Sequence, residues 1–350
     1  ADPDDTIIFD SGLSGEVILS GLPLEINKNL VIDGSSLAVP ITIDGGGSGI
    51  VFSVDYTESG VVATLDSLII QNGDSLSGGG IYIESNSNLT VANCTLSGNH
   101  STDGGGILKS GGTLTVVNSN FSGNSAENWG GGIWNSSGTL TVTNSTFSGN
   151  SASVGGGIMN FRGTLTVTDS TFSGNSADDF GGGGIFNADG TLTVTNSTFS
   201  GNSGGGGGGI YNYGTLTVTN STFSGNSAVY GGGIYNLNGT LNYVNTIIAN
   251  SMTGYDCYND GDIGINSKNW VEDDSCSPEF IGDPLLGPLA DNGGPTQTHA
   301  LLSGSGAIDQ GDNAACPTTD QRGVTRPVGA GCDIGSYEYA LFIYLPMVLK

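Results

Sequence analysis

Positive charge is scarce in this chain. Seven Lys and Arg residues stand against 33 Asp and Glu residues, and the formal net charge is −26. The basic residues are scattered along the whole sequence, so they cannot form the positive patch that nucleic acid binding requires. An anionic membrane surface would repel the chain for the same reason. Nucleic acid and anionic lipid are therefore excluded as partners.

Apolar runs long enough to span a membrane are also missing. The apolar C-terminal tail, residues 341–350, is about half as long as the ~20 residues that a transmembrane helix needs, and Pro346 interrupts it. The sequence therefore predicts no membrane span. The tail is β-prone, which favours a strand that adds to the exposed edge of a neighbouring copy through Phe342, Ile343, Tyr344, Leu345 and Val348. A sorting or anchoring signal is the alternative.

Cysteine and histidine are few. There are five Cys and two His, and no Cys-x-x-Cys motif occurs. The sequence favours two short-range disulfides over zinc binding, and disulfides imply an oxidising, extracellular compartment. The predicted pairs are Cys257–Cys276 and Cys316–Cys332. Cys94 is left over, replaces a serine of the repeat described below, and is predicted to be a buried free thiol.

Glycine, in contrast, is abundant, with 62 residues, and much of it recurs in a repeated unit. The unit reads Gly-Gly-Gly-Ile-x-Asn, a variable stretch, and Gly-Thr-Leu-Thr-Val-Thr-Asn-Ser-Thr-Phe-Ser-Gly-Asn-Ser-Ala, with a period of about 25 residues. Three short strand-like runs, separated by Gly and Asn turns, fit one coil of a parallel β-helix. The predicted fold is an all-β, right-handed, three-stranded parallel β-helix of about ten coils.

The chain divides into four segments on this interpretation. Residues 1–75 form irregular first coils and an N-terminal cap, and residues 76–250 form the regular coils. Residues 251–340 carry the four paired cysteines and cap the other end, because an open terminal coil is an exposed sheet edge. Residues 341–350 are the apolar tail.

Period-two alternation assigns the interior of the coils. The aliphatic residues of Thr-Leu-Thr-Val-Thr face inward and give one stacked leucine per coil. A second column is predicted for Leu96, Phe121, Phe147, Phe172, Phe199, Phe223 and Ile247. A ladder of inward asparagine amides, which can hydrogen-bond from coil to coil, is predicted for Asn72, Asn99, Asn124, Asn150, Asn175, Asn202, Asn226 and Asn250.

Two arrays are predicted to face outward. Rows of Thr-x-Thr on a flat face resemble ice-binding surfaces, although threonine also suits any exposed strand. The residue after each inward isoleucine forms an apolar stripe, which marks a contact surface or simply stacks large side chains along the rod. The apolar stripe comprises Tyr82, Leu108, Trp134, Met159, Phe186, Tyr211 and Tyr235.

Signatures of catalysis are weak. A pectate-type lyase needs a basic residue beside an acidic calcium site, but Lys109 and Arg162, the basic residues of the regular coils, lie two coils apart. Asp178 and Asp179 are adjacent acids, but they fit a solvated turn better than the two separated carboxylates of a glycosidase. No enzyme activity and no cofactor are predicted. Calcium is the one candidate ion, with oxygen ligands in residues 259–262 and 272–274.

The Gly-Gly-Gly-Ile and Phe-Ser-Gly-Asn motifs resemble the GGAI and FxxN repeats of polymorphic outer-membrane proteins, which are surface-exposed β-helices. The resemblance covers roughly residues 60–250. The last eight residues resemble the terminal signature of secreted proteins from filamentous Chloroflexota-type bacteria. Four further segments resemble the choice-of-anchor C-terminal domains attached to such β-helices, namely 283–302, 307–311, 320–327 and 332–338. These resemblances imply a secreted protein of the cell surface.

The sequence favours a non-enzymatic structural protein of the cell surface that assembles with copies of itself. An adhesin that binds surface glycans or proteins through the apolar stripe is the main alternative. A polysaccharide lyase or hydrolase and an ice-binding protein are the others. A structural polymer predicts self-association without a ligand, whereas an adhesin predicts a monomer that binds glycans.

Overall fold

The computed structural model describes residues 4–13, 15–19, 21–54, 60–84, 86–178 and 180–340. Within these ranges every regular element is a β-strand. None of the described segments forms a helix long and apolar enough to cross a membrane. Outside the described residues lie Asp179 and the predicted tail contacts Phe342, Ile343, Tyr344, Leu345 and Val348.

The strands are short and recur in a regular order. The first nine are β1 (Asp5–Ile8), β2 (Glu16–Ile18), β3 (Leu24–Ile26), β4 (Leu30–Asp33), β5 (Ile41–Asp44), β6 (Phe52–Val54), β7 (Val62–Asp66), β8 (Leu68–Gln71) and β9 (Asp74–Ser77). The repeats contribute β10 (Ile81–Ile83), β11 (Asn88–Ala92), β12 (Thr95–Ser97), β13 (His100–Asp103), β14 (Ile107–Lys109), β15 (Thr113–Val117), β16 (Asn120–Ser122), β17 (Ser125–Trp129), β18 (Ile133–Ser136), β19 (Thr139–Thr143), β20 (Thr146–Ser148), β21 (Ser151–Ala152), β22 (Ile158–Phe161), β23 (Thr164–Thr168), β24 (Thr171–Ser173), β25 (Ser176–Ala177), β26 (Ile185–Ala188), β27 (Thr191–Thr195), β28 (Thr198–Ser200), β29 (Ile210–Asn212), β30 (Thr215–Thr219) and β31 (Thr222–Ser224). The last six are β32 (Ser227–Val244), β33 (Ile247–Ala249), β34 (Thr253–Ser267), β35 (Trp270–Val271), β36 (Leu286–Ala290) and β37 (Thr298–Leu301).

Parallel pairing between successive coils builds three sheets. One sheet holds eleven strands in the order β2-β5-β8-β12-β16-β20-β24-β28-β31-β33-β35, so the coils stack over about 50 Å at ~4.8 Å per strand. A nineteen-stranded sheet contains both the Gly-Ile strands and the Thr-Leu-Thr-Val-Thr strands, and a five-stranded sheet adds a further short strand to some coils. The predicted all-β parallel solenoid is confirmed.

Equivalent residues stack on one another in the interior. Leu140 pairs with Leu165 and Phe147 with Phe172 in neighbouring coils, and all four are fully buried. Successive phenylalanine rings lie 4.5–4.8 Å apart and are nearly parallel, with interplanar angles of 5–8°. Aromatic pairs contribute about 0.5–1.5 kcal/mol each beyond the burial of their apolar surface. The stack therefore stabilises each coil on the next.

A buried asparagine ladder runs from Asn99 to Asn226. Each amide oxygen accepts hydrogen bonds from the preceding coil, and Asn150 Oδ1 lies 3.0 Å from both the backbone nitrogen and the Nδ2 of Asn124. Each Nδ2 also donates to a backbone carbonyl, as Asn150 does to Phe121 O at 3.0 Å. The ladder satisfies backbone groups that an inward turn would otherwise leave unpaired.

The ladder prediction is wrong at both ends. Asn72 and Asn250 are exposed and have positive φ angles of 54° and 58°, because each occupies the turn position that glycine holds in the regular coils. In the coil directly before Asn99, the ladder position is occupied by Gly73, whose N–H donates to Asn99 Oδ1 at 3.0 Å. At the other end the equivalent position is Ser251.

The phenylalanine column ends one residue later than predicted. Ile248, rather than Ile247, pairs with Phe223 and packs into the main core. Ile247 pairs with Thr222 and packs into a second apolar cluster beneath the C-terminal region. The last coil is therefore shifted by one residue relative to the motif.

A second asparagine ladder, which the sequence analysis did not assign, lies two residues after each inward isoleucine. Lys109 occupies this column in an earlier coil, where its ammonium donates to Asn135 Oδ1 at 2.8 Å and to Ser137 O at 2.7 Å. Lys109 is fully buried, and burial lowers the pKa of its amine to about 8. In the ladder each Nδ2 donates to the next Oδ1 at 2.6–2.7 Å, through Asn135, Asn160, Asn187, Asn212, Asn236 and Asn259.

The C-terminal region first closes the solenoid. β34 pairs in parallel with β32, so the coils continue past the predicted boundary at residue 250 to β35. The disulfide between Cys257 and Cys276 fixes the following segment against the main core. Tyr243 O–H donates to Cys276 O at 2.6 Å beside this bond. The segment thus covers a coil whose edge would otherwise be exposed.

The rest of the C-terminal region, residues 286–340, folds back along the flank of earlier coils, and we call it the flank region. Thr171 Oγ1 donates to Gln297 O at 2.6 Å, and Thr198 Oγ1 donates to Gln321 Oε1 at 2.6 Å. The region therefore packs beside the coils as well as closing them. The second predicted disulfide is present here, between Cys316 and Cys332.

Candidate functional site

The apolar stripe is the first candidate for a binding surface. Its members lie on the outer side of the Gly-Ile strands, one per coil and in register. The prediction that the stripe is exposed is wrong for most of it. Met159, Phe186, Tyr211 and Tyr235 are only 5–8% exposed and form an apolar cluster separate from the main core. Tyr82, at the N-terminal end, is half-buried.

The glycine runs explain this burial, because they fold over the stripe. A Cβ atom on Gly206 would lie 2.5 Å from the ring of Tyr211, and one on Gly104 would lie 2.8 Å from the Cβ atom of Leu108. No side chain larger than hydrogen fits at such a distance. Alternation in the sequence shows which residues point out of a coil, but it does not show what covers them.

The cover opens into a cleft between Trp129 and Trp134. Their ring centroids are 5.0 Å apart at an angle of 50°, and with Met159, Phe161 and Ala188 they line an apolar cavity of about 210 Å³. Trp129, at the end of β17, is 39% exposed and forms the outer wall. The cavity forms where Phe161 pairs with Ala188 of the next coil, because the alanine side chain is too short to fill the space beside the Phe161 ring.

Trp134 has an unsatisfied polar atom. Its indole Nε1 is buried and has no hydrogen-bond partner among the described residues. A tryptophan N–H can only donate, and the other cavity-lining side chains are Trp, Met, Phe and Ala, none of which offers a strong acceptor. Buried donors of this kind are rare in folded proteins.

Charged and polar residues border the cleft. The Arg162 guanidinium carbon lies 4.7 Å from the centroid of the Phe161 ring, and its Nε lies 3.7 Å from Asp189 Oδ2 on the exposed surface. Next to Trp129, Asn128 Nδ2 donates to Asp103 Oδ1 at 3.2 Å. The cleft therefore combines apolar walls with a polar edge, which is the usual composition of a small-ligand site.

A group of tyrosines continues the aromatic surface toward the last coils. Its neighbouring ring centroids are 4.7–6.0 Å apart. Burial raises the pKa of both Tyr211 and Tyr235 above the ordinary value for tyrosine. The exposed aromatic residues along this side, which we call the outer aromatic face, are Trp129 (39% exposed), Tyr213 (36%), Tyr230 (45%) and Tyr255 (57%), with Trp134 behind them.

The residues considered for catalysis are engaged in separate contacts. Asp178 Oδ2 accepts from Ser153 Oγ at 3.0 Å on an exposed surface. Lys109 belongs to the second asparagine ladder, and Arg162 pairs with Asp189. Asp178, Lys109 and Arg162 therefore each form a hydrogen bond or an ion pair with a residue of a neighbouring coil.

The two histidines and the free cysteine have similar structural contacts. His299 lies between Gly287 O and Ser200 Oγ, at 2.8 and 3.0 Å, and burial lowers the pKa of its ring. His100 Nδ1 lies 2.9 Å from Ser125 Oγ. Cys94 is free and buried, and burial raises the pKa of its thiol to about 12. A thiol with so high a pKa is a poor nucleophile at neutral pH.

Three of the candidate calcium ligands, Asn259, Glu272 and Asp273, already accept hydrogen bonds. Asp256 N donates to Asp273 Oδ2 at 2.9 Å, and Asp273 N donates to Asp256 Oδ2 at 3.2 Å. Glu272 Oε2 accepts from Asn250 N at 2.7 Å, and Asn259 belongs to the second ladder. Among the described residues, no three His, Cys, Asp or Glu side chains are grouped so as to hold a metal ion.

The charged residues of the flank region form a buried network. Arg322 Nη2 and Asp320 Oδ2 are 2.6 Å apart, with side chains 6% and 0% exposed. Arg326 Nε lies 3.7 Å from Glu338 Oε2, and both side chains are fully buried. Burial raises the pKa of Asp333 to about 7. These contacts hold the flank region together rather than forming an open site.

Comparison with known proteins agrees with this architecture. The family described as right handed beta helix region matches residues 28–199, and the Chlamydia polymorphic membrane protein repeat matches residues 220–237. No curated protein matches the chain. Among solved structures it is similar to the crystal structure of pectate lyase Pel9A, with a TM-score of 0.57 and 14% identity over 97% of this chain and 89% of that chain, a likeness of fold alone. The chain is a β-helix repeat protein that resembles polymorphic membrane proteins.

Proposed function

We propose that the protein is a non-enzymatic extracellular rod of a bacterial surface that binds a partner through its outer aromatic face. The proposal depends mainly on the line of exposed aromatic side chains along one side of the rod. Trp129 and Tyr255 are five coils apart, which corresponds to about 24 Å at ~4.8 Å per strand. A secreted location is supported by the two disulfides and by the match to the membrane-protein repeat.

Physical chemistry favours such a face as a contact surface. Tryptophan and tyrosine bury a large apolar area on binding and keep a polar group at the edge, so they dominate binding hot spots. Here the rings are held in place by the buried cluster beneath them, so little conformational entropy is lost when a partner binds. The residues considered for catalysis are tied to neighbouring coils, which supports binding rather than turnover.

The test is a triple variant, Trp129→Ala with Tyr230→Ala and Tyr255→Ala. All three side chains are partly exposed, so the fold should survive their removal. Binding of wild type and variant to a glycan array and to immobilised matrix proteins is compared, with thermal unfolding as a check of the fold. The matched control is Val39→Ala with Ile281→Ala, which removes apolar groups that are 66% and 57% exposed outside the outer aromatic face.

We expect the wild type and the control to bind one partner class and the triple variant to lose it. Equal binding by all three proteins would contradict the proposal. The non-enzymatic part has its own test, since acidic polysaccharide incubated with the protein should release no products. Product release that stops in an Asp178→Asn variant would instead indicate an enzyme.

Self-assembly is a second candidate, favoured by the first coils. Ile8, Ile18 and Leu22 are 68–76% exposed, and among the described strands β1 pairs with β4 alone and β2 with β5 alone. We propose that residues 341–350 of a neighbouring copy add to this edge. Negative-stain electron microscopy of residues 1–350 and 1–340 tests this, because filaments should form from the longer chain only. Single rods from both chains would contradict it.

A further inference from the structure

We infer that the tyrosine-rich end of the outer aromatic face binds a segment of a partner protein that is rich in lysine and arginine. The inference deepens the proposed function and rests on it, since it names the chemistry of the partner and the point of contact. The surface, which we call the tyrosine patch, comprises Tyr213, Tyr230, Tyr255 and Tyr258 with Asp260 beside them. Cationic side chains of the partner lie over the exposed rings and pair with the Asp260 carboxylate.

Strand pairing places the rings and the carboxylate on the same side of the rod. Tyr235 of β32 pairs with Tyr258 of β34, and Asp260 follows in the same strand. Because Tyr258 and Asp260 are two residues apart in one strand, their side chains point to the same side. Asp260 is exposed, and its charge adds to the effect of burial in raising the pKa of Tyr235. The carboxylate therefore lies close to the rings.

The rings form one continuous surface that a cation can approach from solvent. Tyr230 is 45% exposed and Tyr255 is 57% exposed. The Tyr258 ring centroid lies 5.5 Å from that of Tyr230 and 6.0 Å from that of Tyr255. The face of an aromatic ring carries partial negative charge, and a lysine or arginine cation within about 6 Å of its centroid is attracted to it. The partner lies on top of the rings, so it needs no space between them.

The chain itself supplies no cation to this surface. No Lys or Arg occurs between Arg162 and Lys268. Arg162 pairs with Asp189, and Lys268 pairs with Glu279. Asp260 takes part in none of the ion pairs formed among the described residues. The negative charge of the tyrosine patch is therefore left for a partner to neutralise.

Charge complementarity selects the partner. The formal net charge of −26 attracts a cationic segment at long range and repels an anionic one. A neutral ligand would stack on the rings but would gain no ion pair with Asp260. Lysine and arginine use both features, because their aliphatic stems pack on apolar surface while their charged groups reach a carboxylate.

Fluorescence anisotropy of labelled peptides measures the binding. Hexaarginine should bind the wild type, and its affinity should fall as salt is added, because exposed charges are then screened. Hexacitrulline, which keeps the size and hydrogen-bonding groups of arginine without its charge, should not bind, and neither should hexaglutamate. Hexaarginine should also shift the ring resonances of Tyr230 and Tyr255 in a ¹H–¹³C spectrum, which locates the contact.

Two matched comparisons separate the tyrosine patch from general attraction to an acidic protein. Tyr230→Leu with Tyr255→Leu removes two ring faces and should weaken hexaarginine binding about tenfold. Tyr230→Phe with Tyr255→Phe keeps the faces and should bind within about threefold of the wild type. Asp260→Asn should weaken binding about threefold, whereas Asp74→Asn removes the same charge from an exposed site in an early coil and should have no measurable effect. Thermal unfolding of each variant confirms that it is folded.

Four results would overturn the inference. It fails if hexaarginine does not bind at millimolar concentration, if hexacitrulline or hexaglutamate binds as tightly, if the leucine pair binds as the phenylalanine pair does, or if Asp260→Asn and Asp74→Asn weaken binding equally. The proposed function survives each of these if the triple variant of Trp129, Tyr230 and Tyr255 still loses another partner on the glycan array or among the matrix proteins. Both fail if the triple variant binds every partner that the wild type binds.

Discussion

The ammonium group of Lys109 lies 2.8 Å from Oδ1 of Asn135 and ends the second asparagine ladder. In the preceding coil the same column holds Ile83, which offers no donor. In a ladder of amides that each donate to the next, the oxygen of the first amide, here Asn135, has no amide partner. Lys109 supplies that partner, and it also satisfies Ser137 O. The buried amine therefore terminates the ladder.

Replacing Lys109 by Met should destabilise the protein. Asn135 Oδ1 and Ser137 O would lose their donor, and each buried unsatisfied acceptor costs about 1–3 kcal/mol, partly offset because no charge is then buried. Urea unfolding at pH 7 measures the difference. Lys268→Met, which breaks an exposed pair with Glu279, is the control and should cost less than about 1 kcal/mol. Equal losses would contradict the terminator role.

Asp169→Asn should change the pH dependence of stability. Burial raises the pKa of Asp169 to about 6 from 3.8, so the folded chain keeps this proton at pH values where the unfolded chain has released it. Asp169 therefore lowers stability as the pH rises from about 4 to about 6. Relative to the variant, the wild type should lose about 1 kcal/mol or more over this window.

Thermal unfolding of the two proteins between pH 3 and pH 8 provides the measurement. Asp189→Asn is the control, since Asp189 has a similar positive φ but is exposed. The stability difference between wild type and Asp169→Asn should be smallest at pH 3. Parallel curves for wild type and Asp169→Asn would show that burial does not affect this carboxyl.

Asn150→Ala should interrupt the first asparagine ladder in its middle. The variant leaves the buried Asn124 N without its acceptor and removes the Asn150 amide from Phe121 O, and we expect a loss of about 2–4 kcal/mol in the free energy of unfolding. Asn238→Gly is the matched control, because Asn238 is exposed at a positive φ of 54° and glycine adopts that conformation readily. Its effect should stay within about 0.5 kcal/mol. Denaturant unfolding that ranks the two variants in the opposite order would contradict the ladder assignment.

Gly206→Ala should disturb the cover of the apolar stripe. The added Cβ atom would lie 2.5 Å from the Tyr211 ring, so either the glycine run or the ring must move. We expect a loss of about 1–3 kcal/mol and increased quenching of tyrosine fluorescence by acrylamide. Gly287→Ala is the control, because its Cβ would meet its nearest neighbour at 3.5 Å. Unchanged stability and quenching in Gly206→Ala would show that the run does not cover the stripe.

The repeat made much of the interior predictable. Leu140 and Phe147 recur in phase in every regular coil, so alternation assigned both columns correctly. The prediction failed where the motif ends. In Gln71-Asn72-Gly73 the order of Asn and Gly is the reverse of that in the repeat. The motif therefore assigned the ladder position to Asn72, whereas Gly73 occupies it in the structure.

Other misses have different physical causes. The second ladder was visible in Gly-Ile-x-Asn, since Asn135 stands two residues after the inward Ile133 and must share its face. The burial of Phe186 was not visible, because alternation gives the direction of a side chain but not the path of the glycine run that precedes it. The cleft at Trp129 depends on the short side chain of Ala188 two coils away, a contact that no single repeat reveals.

The position of the flank region determines where the solenoid can gain or lose coils and so change its length. Its hydrogen bonds to the coils involve Asp169, whose carbonyl accepts from Thr296 Oγ1 at 3.0 Å, and the coils that follow. A duplication or deletion of one unit of about 25 residues before that point leaves those bonds in place, because equivalent residues stack in every regular coil. Each such event would lengthen or shorten the molecule by ~4.8 Å. Recombination between near-identical repeats can thus set the distance between the closed end and the first coil in fixed steps.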